Sequence, residues 1–248
     1  MHDMFDLLDK IKKYFSFSPE ETRSIVIAIL VLGFVLGFDD GAPKFELYHW
    51  LKNLLNSMVI VSLAILVRES AQRIYGLYTG HRVEFKLWWF GLGTSLIMAI
   101  VSFGKIPLLF YGGFVAHFMP RHRVGYFRYG LSYNDMGTVA LWGNLANIIL
   151  ALIFKIFMFL PNPLIKQAMI VNIIMACTNM LPIPPLSGST LFFASPSLYS
   201  VAYGVILGAS VLMLFTSIKM TIIGTLVIAP LFSYVFTRYF ENLGGANY

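Results

Sequence analysis

Between Gln167 and Ile218 the chain carries no charged side chain. An apolar helix needs only about 20 residues to cross a bilayer, so this run must fold back on itself. The break is written into Asn179-Met180-Leu181-Pro182-Ile183-Pro184-Pro185-Leu186-Ser187-Gly188. Each proline lacks an amide donor and collides with the preceding helical turn. Broken backbone at membrane depth survives only where protein buries it or where it lines a wet cavity. The segment is therefore either a hinge or the wall of a site.

Composition sets the class. Of 248 residues, 58% are hydrophobic and only 12% are charged, with a mean hydropathy of +0.74. Soluble domains carry about 25% charged residues, so the expected fold is an all-α polytopic integral membrane protein in one compact helical domain. A net charge of +6 in such a chain points to cytoplasmic loops rather than to nucleic acid. The single cysteine, Cys177, excludes an internal disulfide and a cysteine-type zinc site. Residues 1–17 contain no continuous apolar stretch of the secretory-signal kind.

Within residues 1–17, Met4, Leu8, Ile11 and Phe15 recur at helical spacing with Asp and Lys between them. That spacing predicts an amphipathic helix in the membrane interface, or a solvated leader packed on the body. The membrane domain occupies residues 18–248. Ser18-Pro19-Glu20-Glu21 combines a capping box with proline at the first helical position, and Asp39-Asp40-Gly41 closes the helix. A second apolar run, Asn53 to Val67, continues into Arg68-Glu69-Ser70-Ala71-Gln72-Arg73. Arg82 to Leu87 alternates polar and apolar, the period of a short strand. Leu87 to Gly104 reads as a crossing, and Ile106 to Met119, with Pro107 and Gly112-Gly113, as a re-entrant or tilted segment. A polar loop, Pro120 to Asp135, holds Arg121, Arg123 and Arg128. Met136 to Leu160 crosses next, interrupted by Lys155, and residues 198–238 form a terminal hairpin.

The lysines and arginines orient these segments. With the N-terminus inside and residues 87–119 going out and returning, the inner side holds Lys10, Lys12, Lys13, Arg23, Arg68, Arg73, Arg82, Lys86, Arg121, Arg123, Arg128 and Arg238. The outer side holds Lys44, Lys52, Lys105, Lys166 and Lys219. The bias favours a multi-pass protein of the cell membrane with both termini cytoplasmic. It also brings Arg68 to Gln72 and Ser187 to the same side.

Asn179, Pro182, Pro184, Leu186 and Gly188 have the spacing of Asn-x-x-Pro-x-Pro-x-Leu-Asp-Gly. In this the chain resembles the site-2 protease family of intramembrane zinc metalloproteases, over roughly Val61 to Phe193, with a family-like core at about 53–193. Gly80 to Gly91 and Gly143 to Asn147 also look like family landmarks. The resemblance implies a helical core, a small membrane-associated β element after the second helix, and a zinc site. Two His of a His-Glu-x-x-His helix, one turn apart, would hold the metal, the Glu would act as general base, and an Asp from the broken helix would be the third ligand. Here Arg68 and Gln72 occupy the two His positions, Glu69 is retained, and Ser187 replaces the Asp. Arginine has no lone pair to give a metal, and a Gln amide or Ser hydroxyl is a poor substitute for imidazole or carboxylate. No His-Glu-x-x-His occurs elsewhere. No metal and no cofactor are therefore expected, although the family uses zinc.

Competing readings stand beside these. Arg68 and Glu69 could mark a helix end with snorkelling charges. In the sharper reading, Arg68 supplies the positive charge that zinc would supply and holds Glu69. Asn147 and Asn172 are interhelical hydrogen bonders or, by resemblance, part of a substrate clamp lined also by Asn179, Pro182, Pro184 and Gly188. His117 sits in an apolar segment, while His81 and His122 lie in basic loops where solvation is the default. Trp88, Trp89 and Trp142 read as interface anchors or packing. The function expected is a catalytically inactive pseudoprotease that binds transmembrane segments or scaffolds a membrane complex. An active metalloprotease with non-standard ligands and a structural subunit are the alternatives. A transporter is disfavoured because inverted repeats are absent. The implied partners are membrane lipid and a transmembrane substrate or complex subunit, with no nucleic acid.

Overall fold

The computed structural model describes residues 2–39, 41, 45–118 and 132–236. Nine α-helices and two strands are found among them: α1 (His2–Tyr14), α2 (Pro19–Gly37), α3 (Leu47–Thr79), β1 (His81–Leu87), α4 (Trp89–Val101), β2 (Gly112–Phe118), α5 (Tyr133–Ile156), α6 (Pro163–Asn179), α7 (Ser187–Ala194), α8 (Pro196–Phe215) and α9 (Ile218–Phe236). Three helical stretches are long and apolar enough to cross a membrane: Leu47–Thr79, Tyr133–Phe159 and Pro196–Phe215. The chain is an all-α membrane protein with a small antiparallel sheet.

Local chemistry explains the helix boundaries. Ser18 Oγ accepts from the Glu21 N–H at 3.2 Å, and Glu21 Oε2 accepts from the Ser18 N–H at 2.9 Å. Those two bonds satisfy donors that the first turn of α2 leaves open. Prolines stand in the first turn of α6 and α8, where the Asn162 and Ser195 side chains cap. Gly80 ends α3 at φ 87°, a left-handed conformation that glycine enters at little cost. Lys155, which interrupts the apolar α5, donates to the carbonyls of Met213 and of Thr216 (2.6 Å for the latter), near the end of α8. A cation there complements carbonyls that the helix leaves unpaired.

The main core joins α2, α3 and α6 around Leu32, Val61, Ile65 and Met175, with Leu109 and Tyr111 entering from the loop before β2. A second cluster brings Ala140 of α5 against Ala176 of α6 and Met180 just past its end, and a third brings Ala151 against Met169 and Ile173. These pairings make α5 and α6 antiparallel neighbours.

The segment from Leu87 to Met119 departs from expectation. Residues 106–118 do not form a re-entrant or tilted membrane segment: Gly112–Phe118 is a strand, paired antiparallel to β1 with Phe85 opposite Phe114 and Leu87 opposite Gly112. Gly112-Gly113 is a poor helix former, whereas Phe114 and Val115 favour strands, and β1 needs a partner for its backbone groups. Nor is Leu87 to Gly104 a full crossing. The 13-residue α4 rises about 20 Å, short of the about 30 Å hydrocarbon core. Because Leu87 and Gly112 pair, the chain leaves the sheet through α4 and returns to the level from which it started.

The uncharged run breaks three times, at residues 180–186, at Ser195 before Pro196, and at residues 216–217 before α9. The polar loop expected at Pro120 to Asp135 lies outside the described residues up to position 131.

Candidate functional site

The end of α3, the loop before β2 and the first residue of α7 converge on one buried polar cluster. Arg68 and Gln72 are four residues apart on α3 and share a face. Ser187 begins α7, directly after the proline-containing segment. Arg68 Nη2 donates to Ser187 Oγ at 2.5 Å, and Gln72 Nε2 donates to the same oxygen at 3.2 Å. Arg68 Nη1 donates to Glu69 Oε1 at 2.9 Å and to the Tyr111 hydroxyl oxygen at 2.5 Å. The Tyr111 hydroxyl in turn donates to Glu69 Oε1 at 3.1 Å. Arg68, Ser187 and Tyr111 are fully buried, and Glu69 and Gln72 nearly so.

That burial corrects the reading of Arg68 and Glu69 as snorkelling charges at a helix end: Arg68 is 0% exposed. Withdrawing two ions from water costs several kcal/mol each, offset only when hydrogen bonds occupy the charged groups. The guanidinium meets that condition through three partners, and its carbon lies 5.2 Å from the centre of the Tyr111 ring. Arg68 Nε and Gln72 Oε1 are buried without a protein partner.

Close backbone approach frames the cluster. A Cβ on Gly143 of α5 would lie 2.6 Å from Gln72 Cγ, so the bare backbone makes room for that side chain. A Cβ on Gly113 would lie 2.1 Å from the Pro185 carbonyl oxygen, which places β2 directly against the proline segment. At Gly188 the obstruction would be the Met180 carbonyl oxygen, also at 2.1 Å. Pro182 and Pro184 are exposed, so they shape the outer side of the turn rather than touching the cluster.

The asparagines are buried on the neighbouring helices. Asn179 donates to the Met175 carbonyl at 2.8 Å and Asn172 to that of Ala168 at 2.8 Å, each leaving its Oδ1 without a partner. Asn147 is fully buried, and neither of its amide atoms has a partner. None of the three bonds to Arg68, Glu69, Gln72 or Ser187.

Residues not singled out from the sequence complete the site. Tyr111 stands in an apolar run with nothing local to mark it, and only the return of the chain beside β1 brings it to Arg68. One turn past Glu69, Arg73 donates to the Phe15 and Ser16 carbonyls at 3.1 and 2.9 Å and pairs with Glu21. Glu21 also accepts from the Phe85 N–H at 2.8 Å. This second buried pair ties α2, α3, β1 and the α1–α2 connection together.

His81, expected to be solvated, is buried at the start of β1, with Nδ1 3.1 Å from Thr79 Oγ1. Burial pushes its imidazole below the usual range, with Asp135 opposing the shift. His117 lies exposed on β2, 3.7 Å from Glu84 Oε2. Among the described residues, no group of three or more His, Cys, Asp and Glu side chains could hold a metal ion. Zinc takes imidazole, thiolate or carboxylate. A guanidinium that donates to Ser187 where the resemblance puts the metal does not fit that donor set.

The chain is similar to a protein of Methanocaldococcus jannaschii provisionally named a zinc metalloprotease. The two are 27% identical over 207 residues, which cover 81% of this chain and 98% of the relative. No family model matches the chain. No solved structure matches it either.

Proposed function

We propose that this chain is a site-2 protease-type membrane protein without the protease's metal chemistry, a pseudoprotease that binds transmembrane segments or scaffolds a membrane complex. The observation that carries the reading is the position of the Arg68 guanidinium, which donates to Ser187, Tyr111 and Glu69 together. By resemblance, Arg68 and Ser187 stand at metal-ligand positions and Glu69 at that of the general base. The cluster holds groups rather than activating them. Glu69 Oε1 accepts from both Arg68 and Tyr111, which ties that carboxylate oxygen into the cluster. Ser187 Oγ accepts from two donors, and no described base is bonded to it. The relative's name supports descent from a metalloprotease scaffold, and the unpartnered amide of Asn147, with the unpartnered Oδ1 atoms of Asn172 and Asn179, leaves hydrogen-bonding capacity beside the cluster for a bound segment.

Elemental analysis of the purified protein tests this reading. The expected result is no stoichiometric zinc after purification in zinc-supplemented buffer. About one zinc per chain would overturn the proposal in favour of an active metalloprotease with non-standard ligands, the reading that the relative's name and the retained Glu69 favour.

The proposed setting is the cell membrane, with both termini cytoplasmic. The distribution of Lys and Arg supports it, as does the return of the chain from β1 through α4 to β2 at one level. Single cysteines placed at Lys52, Lys86 or Arg123 in a Cys177→Ala background make this testable. An impermeant thiol reagent applied to intact cells is expected to label position 52 and to spare 86 and 123. Labelling of position 123 from outside would reverse the topology.

A further inference from the structure

We infer that α1 is a lipid-facing strut: its apolar edge lies in the headgroup–acyl boundary of the protein's own bilayer, and the Arg73 latch holds it there. The inference concerns a face of the molecule separate from the Arg68 cluster.

The latch sets the height of α1. Phe15 N–H still donates to the Ile11 carbonyl, so the helical turn runs directly into the residues that Arg73 grips. Arg73 holds the carbonyls of Phe15 and Ser16, and its guanidinium carbon lies 3.9 Å from the Phe17 ring centre. The same stretch of α3 carries Tyr75 and Tyr78, with ring centres 5.8 Å apart, and Tyr75 stacks on Trp142 of α5 at 5.3 Å. Tyr and Trp collect where hydrocarbon meets headgroups. Exposed apolar side chains run along α3 from Leu51 through Leu55, Val59, Leu63 and Leu66 to Ile74. The lipid belt of α3 therefore reaches the latch, and a helix tethered at Arg73 lies at the membrane surface.

The exposed face of α1 has the matching chemistry. At about 100° per residue, Ile11, Leu8 and Phe5 follow one another around the helix, and Lys12 falls between the last two. Ile11 is half-buried, but Leu8 is 49% and Phe5 64% exposed, so the apolar arc continues outward past the protein's own cover. Asp9, Lys13 and Asp6 occupy the far side of that arc, and Asp6 is paired with Lys10 at 2.5 Å. Through residue 13 the helix carries three Asp and three Lys. Attraction to anionic lipid is therefore weak, and insertion of the apolar edge is the driving contact, with Lys12 and Lys13 reaching phosphate from the last turn.

The test uses the full-length protein with Cys177→Ala and one new cysteine at Phe5, Leu8 or Lys13, labelled with an environment-sensitive fluorophore. The protein is reconstituted in phosphatidylcholine vesicles containing acyl-chain nitroxide lipid. Probes at 5 and 8 are expected to be quenched by the nitroxide lipid several-fold more than the probe at 13, with the reverse order for aqueous iodide. Equal iodide access at all three positions would overturn the proposal. So would Phe5→Cys chains that disulfide-link to one another while resisting the lipid quencher, because a second copy would then cover the face. All three positions are on the exposed side of α1, so the labels leave the latch and the core intact.

Discussion

Arg68→Ala is expected to destabilise the protein by about 3–5 kcal/mol, the range for breaking a buried ion pair by removing one partner. The guanidinium is 0% exposed, and three oxygens on three segments of the chain depend on it: Glu69 Oε1, Tyr111 Oη and Ser187 Oγ. Alanine leaves the Glu69 carboxylate with the Tyr111 hydroxyl as its remaining hydrogen-bond donor, and it leaves a void where a large side chain was packed. Gln72→Ala removes a single 3.2 Å bond to Ser187, and its Oε1 already lacks a partner. That change should cost about 1 kcal/mol plus some packing. Thermal unfolding of the purified variants in detergent, followed by size-exclusion recovery, gives the comparison. The double change Arg68→Ala with Glu69→Ala should recover part of the single-variant loss, because it removes the stranded charge as well. Equal melting of the Arg68→Ala and Gln72→Ala proteins would show that the guanidinium does not organise the cluster.

What the sequence disclosed follows the range of each signal. The start of α2 could be read from Ser18, Pro19 and Glu21, because a capping box is satisfied within four residues. β1 could be read from its period-two alternation, and the break near Pro182 from proline chemistry. β2 could not. Its residues before His117 are apolar or glycine with no alternation, and its strand exists because β1 lies beside it, a contact made across the whole α4 excursion. Tyr111 was hidden for the same reason. His81 reads as a solvated loop residue because nothing adjacent signals burial. It is buried because β1 packs on α3 so closely that a Cβ on Gly76 would lie 2.4 Å from Val83 Cγ2. The Arg73–Glu21 pair joins residues 52 positions apart, and no spacing rule links two charges so distant. Arg68, Glu69 and Ser187 were legible because two motif-like spacings pointed at them, and the charges alone suggested that Arg68 holds Glu69; the share taken by Tyr111 was not legible.

The triple change Arg68→His, Gln72→His and Ser187→Asp is expected to create a zinc site of about one ion per chain, where none is expected of the unaltered protein. The argument is geometric. Positions 68 and 72 are one turn apart on a single face of α3, the spacing at which two imidazoles can share one tetrahedral ion. Both side chains already reach the same atom of residue 187, at 2.5 and 3.2 Å, so a carboxylate there enters the space between them. Gly143 leaves room beside position 72. Removing Arg68 also frees Glu69 Oε1 from one of its two donors and leaves the Tyr111 hydroxyl bonded to it. Each single change should gain little metal, because two ligands of the three would be missing and Arg68 would still fill the centre in two of the three variants. Elemental analysis and a melting temperature that rises with added zinc are the two readouts. A triple variant that stays folded yet takes up no zinc would mean that positions 68, 72 and 187 meet without the geometry of a metal site.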